Sequence, residues 1–376
     1  NPELIILKLS DETLKKIRTF APSSRPTVTK QVRVEVKRSK WRHQEDALQI
    51  FVTKKRGVIE MATGTGKTKT SLKIFKFLFD RGDVEGLIVS TFGNDLLNQW
   101  GNELKDFFST HNLSINIYKQ FDSNKDSAAF SYNTNNSAML CSWEGLHSVL
   151  QRVSPGKAKK IMVIHDEVHG FGSPQNIKNL KGKQNHFNYV LGLSATPERA
   201  YDLEGNKFIE EEIGPVLFSF GIEKAIQKGI LCEFDYKTIS YELLDDEKKE
   251  LSRLKRMLAI KQNKGEDPEE LYRAISKVYK TAEMKIPLFE EFLRDNQSIL
   301  DACMIFVEDM EYGARVGAVI HRYRLNFKTY YSGEDSIHLE RFSKGELECL
   351  ISCKKLSQGI DIKRVKKGAK NKMAIK

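Results

Sequence analysis

A glycine-rich segment followed by lysine and threonine is the feature of this sequence that most directly suggests chemistry. It follows an apolar stretch, Val58–Met61, and precedes a helical pattern. Glycines let the backbone wrap closely around a polyphosphate, while the helix that follows presents N–H groups and its positive end to the anion. The residues expected to bind phosphates are Thr63, Gly64, Thr65, Gly66, Lys67 and Thr68.

Two side chains of this segment have predicted individual roles. Lys67 can reach the β- and γ-phosphates of a nucleoside triphosphate, and the Thr68 hydroxyl can ligate Mg²⁺. The strict motif has a glycine five residues before Gly66, where this sequence has Met61. A glycine-rich turn before an ordinary helix is the alternative, but the order of strand, turn, Lys-Thr pair and helix favours a phosphate loop. ATP and Mg²⁺ are therefore the predicted ligands.

Two acidic residues follow another apolar stretch about 100 residues further on. Ile161–Ile164 predicts a buried strand, and Asp166 and Glu167 emerge at its carboxyl end, where ligands bind in open α/β sheets. Asp166 is expected to hold Mg²⁺, and Glu167 is expected to orient and deprotonate the attacking water. His169 is interpreted as a polar link near the γ-phosphate and His165 as a packing residue. Their spacing is not the His-Glu-x-x-His pattern of zinc proteases.

Strands that alternate with helices must position these residues. Short, nearly uncharged strands of this kind are typical of a parallel sheet with both faces covered. The predicted strands are Val58–Met61, Leu87–Ser90, Ala138–Cys141, Ile161–His165 and Val190–Leu193, followed in a second α/β stretch by Cys303–Val307, Phe327–Tyr331 and Cys349–Ser352. The predicted helices between the early strands are Gln44–Lys55, Lys67–Asp80 and Asp95–Phe108.

The composition narrows the class of protein. A net charge of +11 on 376 residues points first to a nucleic-acid partner, with a solvated basic surface as the alternative. The five cysteines include no Cys-x-x-Cys pair, which disfavours a zinc site and a disulfide framework. No apolar run suggests a membrane span, and no leader is visible. A cytoplasmic location is expected, associated with the nucleoid if the source is prokaryotic.

The ordered motifs resemble those of superfamily 2 helicases, within the group that contains XPB-like repair helicases and the motor subunits of type I and type III restriction enzymes. Thr63–Thr68 looks like motif I and Asp166–His169 like motif II of the DExH kind. Leu87–Trp100 resembles motif Ia, Leu193–Pro197 motif III, Met304–Val307 motif IV and Leu356–Asp361 motif V. His43-Gln44 resembles the adenine-reading segment. The resemblance runs from about Trp41 to Asp361.

The resemblance implies further site residues. Gln44 would read adenine, and Gly359 and Asp361 would contribute to the nucleotide site from motif V. Ser194, Ala195 and Thr196 would couple hydrolysis to domain movement, and motif Ia would contact the nucleic-acid backbone. The ATP and Mg²⁺ site would lie in a cleft between two domains.

The sequence departs from the family pattern in two places. In the adenine segment, Arg42 stands two residues before Gln44 rather than farther back. No Gln-x-x-Gly-Arg segment, the family's source of an arginine finger, is readable between Asp361 and Lys376. We therefore expect this chain alone to be a weak ATPase, unless Arg364 or a partner's arginine fills that role.

These observations predict an α/β protein with two RecA-like parallel-sheet domains in tandem and a helical segment in the second. The expected divisions are a lead-in over 1–38, an ATP-binding domain over 39–217 and a second domain over 218–376, with a helical insertion at about 244–295. The expected function is an ATP-dependent DNA helicase or translocase in repair, restriction or antiviral defence. The alternatives are an RNA helicase and a nucleotide-gated scaffold subunit of a larger nuclease or defence complex.

Overall fold

The apolar stretches after Trp41 form the strands of a parallel sheet. The computed structural model describes residues 40–199, 202–233, 237–266, 268–331, 334, 337–353 and 372–374. These residues belong to two units, with the boundary between residues 234 and 235. The strands described in the first unit are β1 (Arg56–Met61), β2 (Gly86–Thr91), β3 (Asn116–Gln120), β4 (Ser137–Ser142), β5 (Ile161–Asp166), β6 (Tyr189–Ser194) and β7 (Val216–Phe220).

Helices connect these strands and cover the sheet. Each crossover between parallel strands needs a connection that runs back along the sheet, and helices supply most of them here. The described helices of the first unit are α1 (Arg42–Lys54), α2 (Lys67–Asp80), α3 (Asn94–Thr110), α4 (Ser127–Tyr132), α5 (Trp143–Arg152), α6 (Pro155–Ala158), α7 (Pro174–Leu180), α8 (Leu203–Glu212) and α9 (Ile222–Gln227). A short 3₁₀ turn, Val168–Gly170, follows β5.

The order of the strands determines where chemistry can occur. Within the described residues the sheet runs β3-β4-β2-β5-β6-β1-β7, with parallel pairing throughout. The first described strand therefore lies beside the sixth, and β5, β6 and β1 are consecutive neighbours. In register, Asp166 lies opposite Leu193 of β6, and Glu60 of β1 lies opposite Ser194. The carboxyl ends of these three strands consequently meet at one edge of the sheet.

The predicted α/β class is confirmed, and the strands that the sequence failed to predict lie at the margins of the sheet. β3 is an edge strand with little burial, and its sequence Asn-Ile-Tyr-Lys-Gln lacks a continuous apolar run. β7 occupies the other edge and pairs with β1. Because β7 belongs to the first sheet, the predicted domain boundary at 217/218 falls inside a strand, and the first unit extends to residue 234.

The second unit has a smaller parallel sheet, whose described strands follow the order β11-β8-β10-β9. These strands are β8 (Cys303–Val307), β9 (Phe327–Tyr330), β10 (Cys349–Cys353) and β11 (Lys372–Ala374). Ile305 and Ile351 are fully buried between the sheet and its helices. The described helices of this unit are α10 (Asp245–Lys264), α11 (Glu269–Lys280), α12 (Lys285–Asp295), α13 (Met310–His321) and α14 (Ile337–Lys344), with a 3₁₀ turn at Gln297–Leu300.

The Lys/Glu-rich stretch of the second unit is helical, and α10 packs against α11. Acidic residues occupy the first turn of α10, and Lys261 and Lys264 lie in its last turn, as the helix dipole favours. In the part of the chain that the structure describes, no helix is both long enough and apolar enough to cross a membrane.

Candidate active site

The loop between β1 and α2 has the backbone conformation that a phosphate loop requires. Gly64 and Gly66 adopt φ values of 85° and 91°, a left-handed region open mainly to glycine. Helix α2 begins directly afterwards at Lys67, with no side-chain cap and no acidic residue in its first turn. Its first N–H groups and its positive end are therefore available to an anion.

Lys67 and Thr68 begin this helix, as predicted. The Lys67 ammonium donates a hydrogen bond to the Met61 carbonyl at 3.3 Å, so it lies back over the end of β1. Both side chains are partly exposed, whereas Thr65 is buried and donates from its hydroxyl to the Ala62 carbonyl at 2.6 Å. This internal bond fixes the shape of the loop and leaves Lys67 and Thr68 accessible to a ligand.

The adenine-reading segment packs directly on the phosphate loop. Gln44 is buried, and its side-chain nitrogen lies 3.5 Å from the Thr65 carbonyl oxygen. The neighbouring His43 Nε2 lies closer to that oxygen, at 3.0 Å, and its ring stacks on Phe220 with 4.1 Å between centroids. His43 was not predicted as a site residue. Gln44 thus supports the loop backbone, and its adenine-reading role stays a prediction.

Replacement of Gly66 by alanine is expected to damage nucleotide binding more than stability. An alanine at positive φ costs about 1–2 kcal/mol, and its β-carbon would lie 2.6 Å from Gln44 Nε2. Displacement of the Gln44 amide relieves this clash but removes its contact with the loop. We expect ATP affinity to fall at least about tenfold, equivalent to 1.4 kcal/mol, measured by isothermal titration calorimetry beside urea unfolding.

Gly82→Ala is the matched control, because Gly82 also has positive φ but nothing within 4 Å of its added β-carbon. Both variants should lose similar stability, and only Gly66→Ala should lose ATP affinity. Equal ATP affinities in the two variants would contradict the assignment of this loop.

Asp166 ends β5 and is held by three hydrogen bonds. Its Oδ2 accepts from the Trp100 indole at 2.8 Å, and its Oδ1 accepts from the Glu167 backbone N–H at 3.0 Å. The Thr91 hydroxyl donates to its main-chain carbonyl at 3.2 Å. Burial raises the pKa of Asp166 to about 6, and the nearby Glu167 carboxylate adds to the rise, while the Trp100 hydrogen bond and the Lys67 charge oppose it. The carboxylate is therefore oriented and close enough to Lys67 to interact electrostatically.

Glu167 has a strained backbone beside the buried aspartate. Its φ of 51° is unusual for a residue other than glycine, and such strain is concentrated at functional sites. Its carboxylate Oε2 lies 3.5 Å from His169 Nδ1. Burial raises the pKa of Glu167, and Lys67 partly offsets this effect. A partly buried carboxylate of this kind can act as a general base.

His169 links the acidic pair to the end of β6. Its Nδ1 lies 3.2 Å from the Ser194 hydroxyl, which also accepts a hydrogen bond from the Thr196 backbone N–H at 3.1 Å. Burial, reinforced by Arg199, lowers the pKa of His169, which favours the neutral ring at neutral pH. Ala195 is partly exposed and Thr196 is exposed just beyond the strand. Two of the three residues predicted to couple hydrolysis to movement are thus connected to His169 by hydrogen bonds.

Arg199 is a further residue of this edge that sequence reasoning missed. It donates to the His169 carbonyl at 2.6 Å and pairs with Asp202 at 2.7 Å. Its own backbone is held by Asn206, which bonds both its N–H and its carbonyl at 2.8 Å. Nothing in the spacing of the sequence indicated this role, because the arginine acts on a main-chain atom 30 residues away.

His165 is buried in the sheet, and it is also hydrogen-bonded through both ring nitrogens. Nδ1 lies 2.6 Å from the Ser90 hydroxyl, and Nε2 lies 2.7 Å from the Gln184 side-chain oxygen. Burial lowers the pKa of His165 to about 4. The residue therefore fixes β5 against β2 and the segment before β6.

The donors at this edge fit Mg²⁺ bound together with a nucleotide. Among the described residues, no group of three or more His, Cys, Asp or Glu side chains could form a metal cage. Mg²⁺ usually takes only one or two protein ligands and completes its octahedron with water and substrate phosphates. The Thr68 hydroxyl and the Asp166 carboxylate are oxygen donors of the required kind. Gly359 and Asp361, predicted from motif V, lie outside the described residues.

Comparisons with known proteins agree with these features. The family described as type III restriction enzyme, res subunit, matches residues 30–199. The DNA 3'-5' translocase XPB2 of Sulfurisphaera tokodaii is 23% identical over 343 residues, which cover 85% of this chain and 72% of that protein. The helicase domain of Hef from Pyrococcus furiosus has a similar fold, with a TM-score of 0.51 at 11% identity, over 88% of this chain and 94% of that one.

The chain is similar to superfamily 2 helicases. The resemblance drawn from the motifs, to XPB and to restriction-enzyme res subunits, is confirmed by these matches. The RecA-like fold expected for a superfamily 2 protein is likewise confirmed. The res-subunit match includes the phosphate loop, the acidic pair and Ser194, so the residues that lie together at this edge fall within the matched region.

Proposed function

We propose that the chain is an ATP-dependent DNA helicase or translocase, in which ATP hydrolysis drives movement along the nucleic-acid backbone. The observation that supports this most is the convergence of three segments. The phosphate loop follows β1, Asp166 ends β5 with Glu167 directly after it, and Ser194 ends β6, and these three strands are consecutive in the sheet. A phosphate-binding loop, a carboxylate that can act as a base and hydrogen bonds to a third segment together suit ATP hydrolysis. Nucleotide binding without hydrolysis would need only the loop.

Each residue of this edge has a proposed task in hydrolysis. Lys67 supplies positive charge to the β- and γ-phosphates, and the N–H groups at the start of α2 bind phosphate oxygens. Thr68 and Asp166 would hold Mg²⁺, which supplies further positive charge to the phosphoryl group during transfer. Glu167 orients the attacking water and accepts its proton. Gln44, through its contact with the loop, would connect occupation of the adenine site to the loop conformation.

We propose that His169 couples ATP hydrolysis to movement along the nucleic acid. Its Nδ1 lies 3.5 Å from the Glu167 carboxylate and 3.2 Å from the Ser194 hydroxyl, so both groups share one ring nitrogen. A change in the charge near Glu167 on loss of the γ-phosphate would alter this pair of contacts. Ser194 is bonded to the Thr196 backbone, so the change would reach residues 194–196 directly. Switches gated by a γ-phosphate commonly act by such local rearrangement.

DNA is the proposed track. The related XPB2 is described as a DNA translocase, and the net charge of +11 favours a polyanionic partner. Contacts to phosphates rather than base edges would give little sequence preference. The alternatives are an RNA helicase and a nucleotide-gated scaffold, and a displacement assay distinguishes each of them from a DNA motor. Repair, restriction and antiviral defence are the settings in which we expect such a motor, with a nuclease subunit as one kind of partner.

A displacement assay tests the motor directly. The chain should remove a triplex-forming oligonucleotide from duplex DNA with ATP and Mg²⁺, but not with ADP or with a non-hydrolysable analogue. Duplex RNA of the same length is the matched substrate. Displacement or ATPase stimulation by RNA alone would support an RNA motor, and ATP binding without any turnover would support the scaffold.

DNA binding should depend steeply on salt and only slightly on sequence. A protein that contacts about 6–10 phosphates loses roughly 10³–10⁵ in affinity between 50 and 200 mM salt, because bound counterions are released. Fluorescence anisotropy with several DNA sequences of equal length would measure both properties. A flat salt titration, or a strong preference for one sequence, would contradict binding through the backbone.

A further inference from the structure

The hydrogen bond between Trp100 and Asp166 joins a helix to the proposed metal site. Trp100 lies within α3 and is only 1% exposed. Its indole Nε1 donates to Asp166 Oδ2 at 2.8 Å. The strand before α3, β2, pairs with β5, which ends at Asp166. Trp100 therefore contacts the Asp166 carboxylate from α3, the helix that follows β2, and β2 is the strand beside β5.

Simple packing does not account for this contact. A buried tryptophan needs an acceptor for its N–H, but a main-chain carbonyl would serve, and here the acceptor is the one aspartate proposed to bind a metal. In the described part of the chain, the indole is the only side chain hydrogen-bonded to this carboxylate, since the other oxygen accepts from the Glu167 main chain. Within the described residues, the one side chain that restrains this carboxylate is therefore Trp100.

An indole is chemically suited to orient a metal-binding carboxylate. It is only a donor, so it cannot compete with Asp166 for the cation, and it is neutral, so it does not cancel the negative charge that attracts the cation. A carboxylate has about four lone-pair positions. The Trp100 and Glu167 hydrogen bonds occupy one on each oxygen and leave the others for a metal or its bound water.

We propose that Trp100 is a positioning residue for the Asp166 carboxylate, which it holds in the orientation that binds Mg²⁺. This inference rests on the proposed function, because it needs Asp166 to bind the metal. Hydrogen bonds that orient a metal ligand typically contribute 10–100-fold to metal affinity or activity. Trp100 has no contact with the cation in this scheme, so its loss should weaken metal binding without preventing nucleotide binding in the absence of metal.

Two variants of the full chain remove the indole N–H. Trp100→Phe deletes it together with part of the ring, and benzothienylalanine at position 100, introduced by codon suppression, replaces the N–H with sulfur while the shape is nearly kept. Mn²⁺ binding in the presence of ADP, followed by electron paramagnetic resonance, measures metal affinity without turnover. We expect both variants to bind Mn²⁺ about 10–100-fold more weakly and to bind ADP normally in EDTA.

Trp143→Phe is the matched control. Trp143 is also buried, at 7% exposed, and its indole nitrogen has no hydrogen-bond partner among the described residues. This variant should bind Mn²⁺ as the parent does. Mn²⁺ affinity within twofold of the parent in the benzothienylalanine protein would overturn the inference, even if Trp100→Phe fails to fold.

The same experiment separates this inference from the proposed function. If the parent binds Mn²⁺ with ADP and hydrolyses ATP, but the loss of the Trp100 N–H changes neither, only the positioning role fails. If the parent itself neither binds Mn²⁺ with ADP nor hydrolyses ATP, the proposed function fails and the inference fails with it.

Discussion

Lys67→Ala is expected to lower ATP turnover at least about a hundredfold while the first unit stays folded. Removal of one group that stabilises transition-state charge costs about 10²–10³ in rate, and Lys67 is the cation of the phosphate loop. Its loss should hardly affect stability, because the ammonium makes one hydrogen bond, to Met61, and such a bond contributes about 1 kcal/mol. DNA-stimulated ATPase activity and thermal unfolding, measured on the same preparation, provide the test.

Lys69→Ala controls for the loss of a positive charge from α2. Lys69 lies two residues further along the helix and is exposed. We expect the Lys69 variant to hydrolyse ATP close to the parent rate. Parent-like turnover in Lys67→Ala, or equal losses in both variants, would show that the phosphate loop has been assigned incorrectly.

Glu167→Gln is expected to bind ATP but to hydrolyse it about 10²–10⁴-fold more slowly, the usual contribution of a general base. Glutamine can still hydrogen-bond a water molecule, but it cannot accept the proton. Because the nucleotide is trapped as ATP, DNA binding in the presence of ATP should become tighter. Single-turnover hydrolysis, together with ATP and DNA affinities, would measure all three effects.

Glu198→Gln is the matched control for this change. Glu198 lies two residues after Thr196, beyond the carboxyl end of β6, and its side chain is exposed. It should hydrolyse ATP normally. Hydrolysis at the parent rate in Glu167→Gln would remove Glu167 as the base and would direct attention to His169, whose ring lies 3.5 Å from the Glu167 carboxylate.

The strands that were predicted correctly from the sequence are those whose residue types are determined mainly by burial. β1, β5 and β6 lie inside a parallel sheet, so both of their faces are largely buried and their sequences are mostly apolar, with Glu60 of β1 as a charged exception at a half-buried position. β3 lies at an edge, where partly exposed positions accept residues such as Lys119 and the continuous apolar run is lost. β7 lies at the other edge and is mostly apolar, but its local sequence does not encode which sheet it joins. The structure places the boundary between the units at 234/235 rather than 217/218, because β7 pairs with the first sheet.

The site residues that could be predicted are those that residue type and spacing along the chain are sufficient to identify. The phosphate loop and the acidic pair require particular residues at fixed spacing, and the structure describes them at the ends of β1 and β5, which lie on either side of β6. The contacts of Trp100, Arg199 and His43 depend on which atoms meet across distant segments, which spacing along the chain does not encode. Trp100 was interpreted as a core residue; it is buried in the core, but its N–H is directed to Asp166.

The position of β1 has a consequence for the tertiary stability of the first unit. Among the described strands of this sheet, β1 is the first in sequence, yet it lies between β6 and β7, which are the last two in sequence. A nucleotide bound at the shared edge would contact segments from β1, β5 and β6 at once. A ligand present at 100 times its dissociation constant stabilises the folded state by about 2.7 kcal/mol. ATP would therefore hold the ends of these three strands together, and its binding free energy would oppose the local unfolding of each strand.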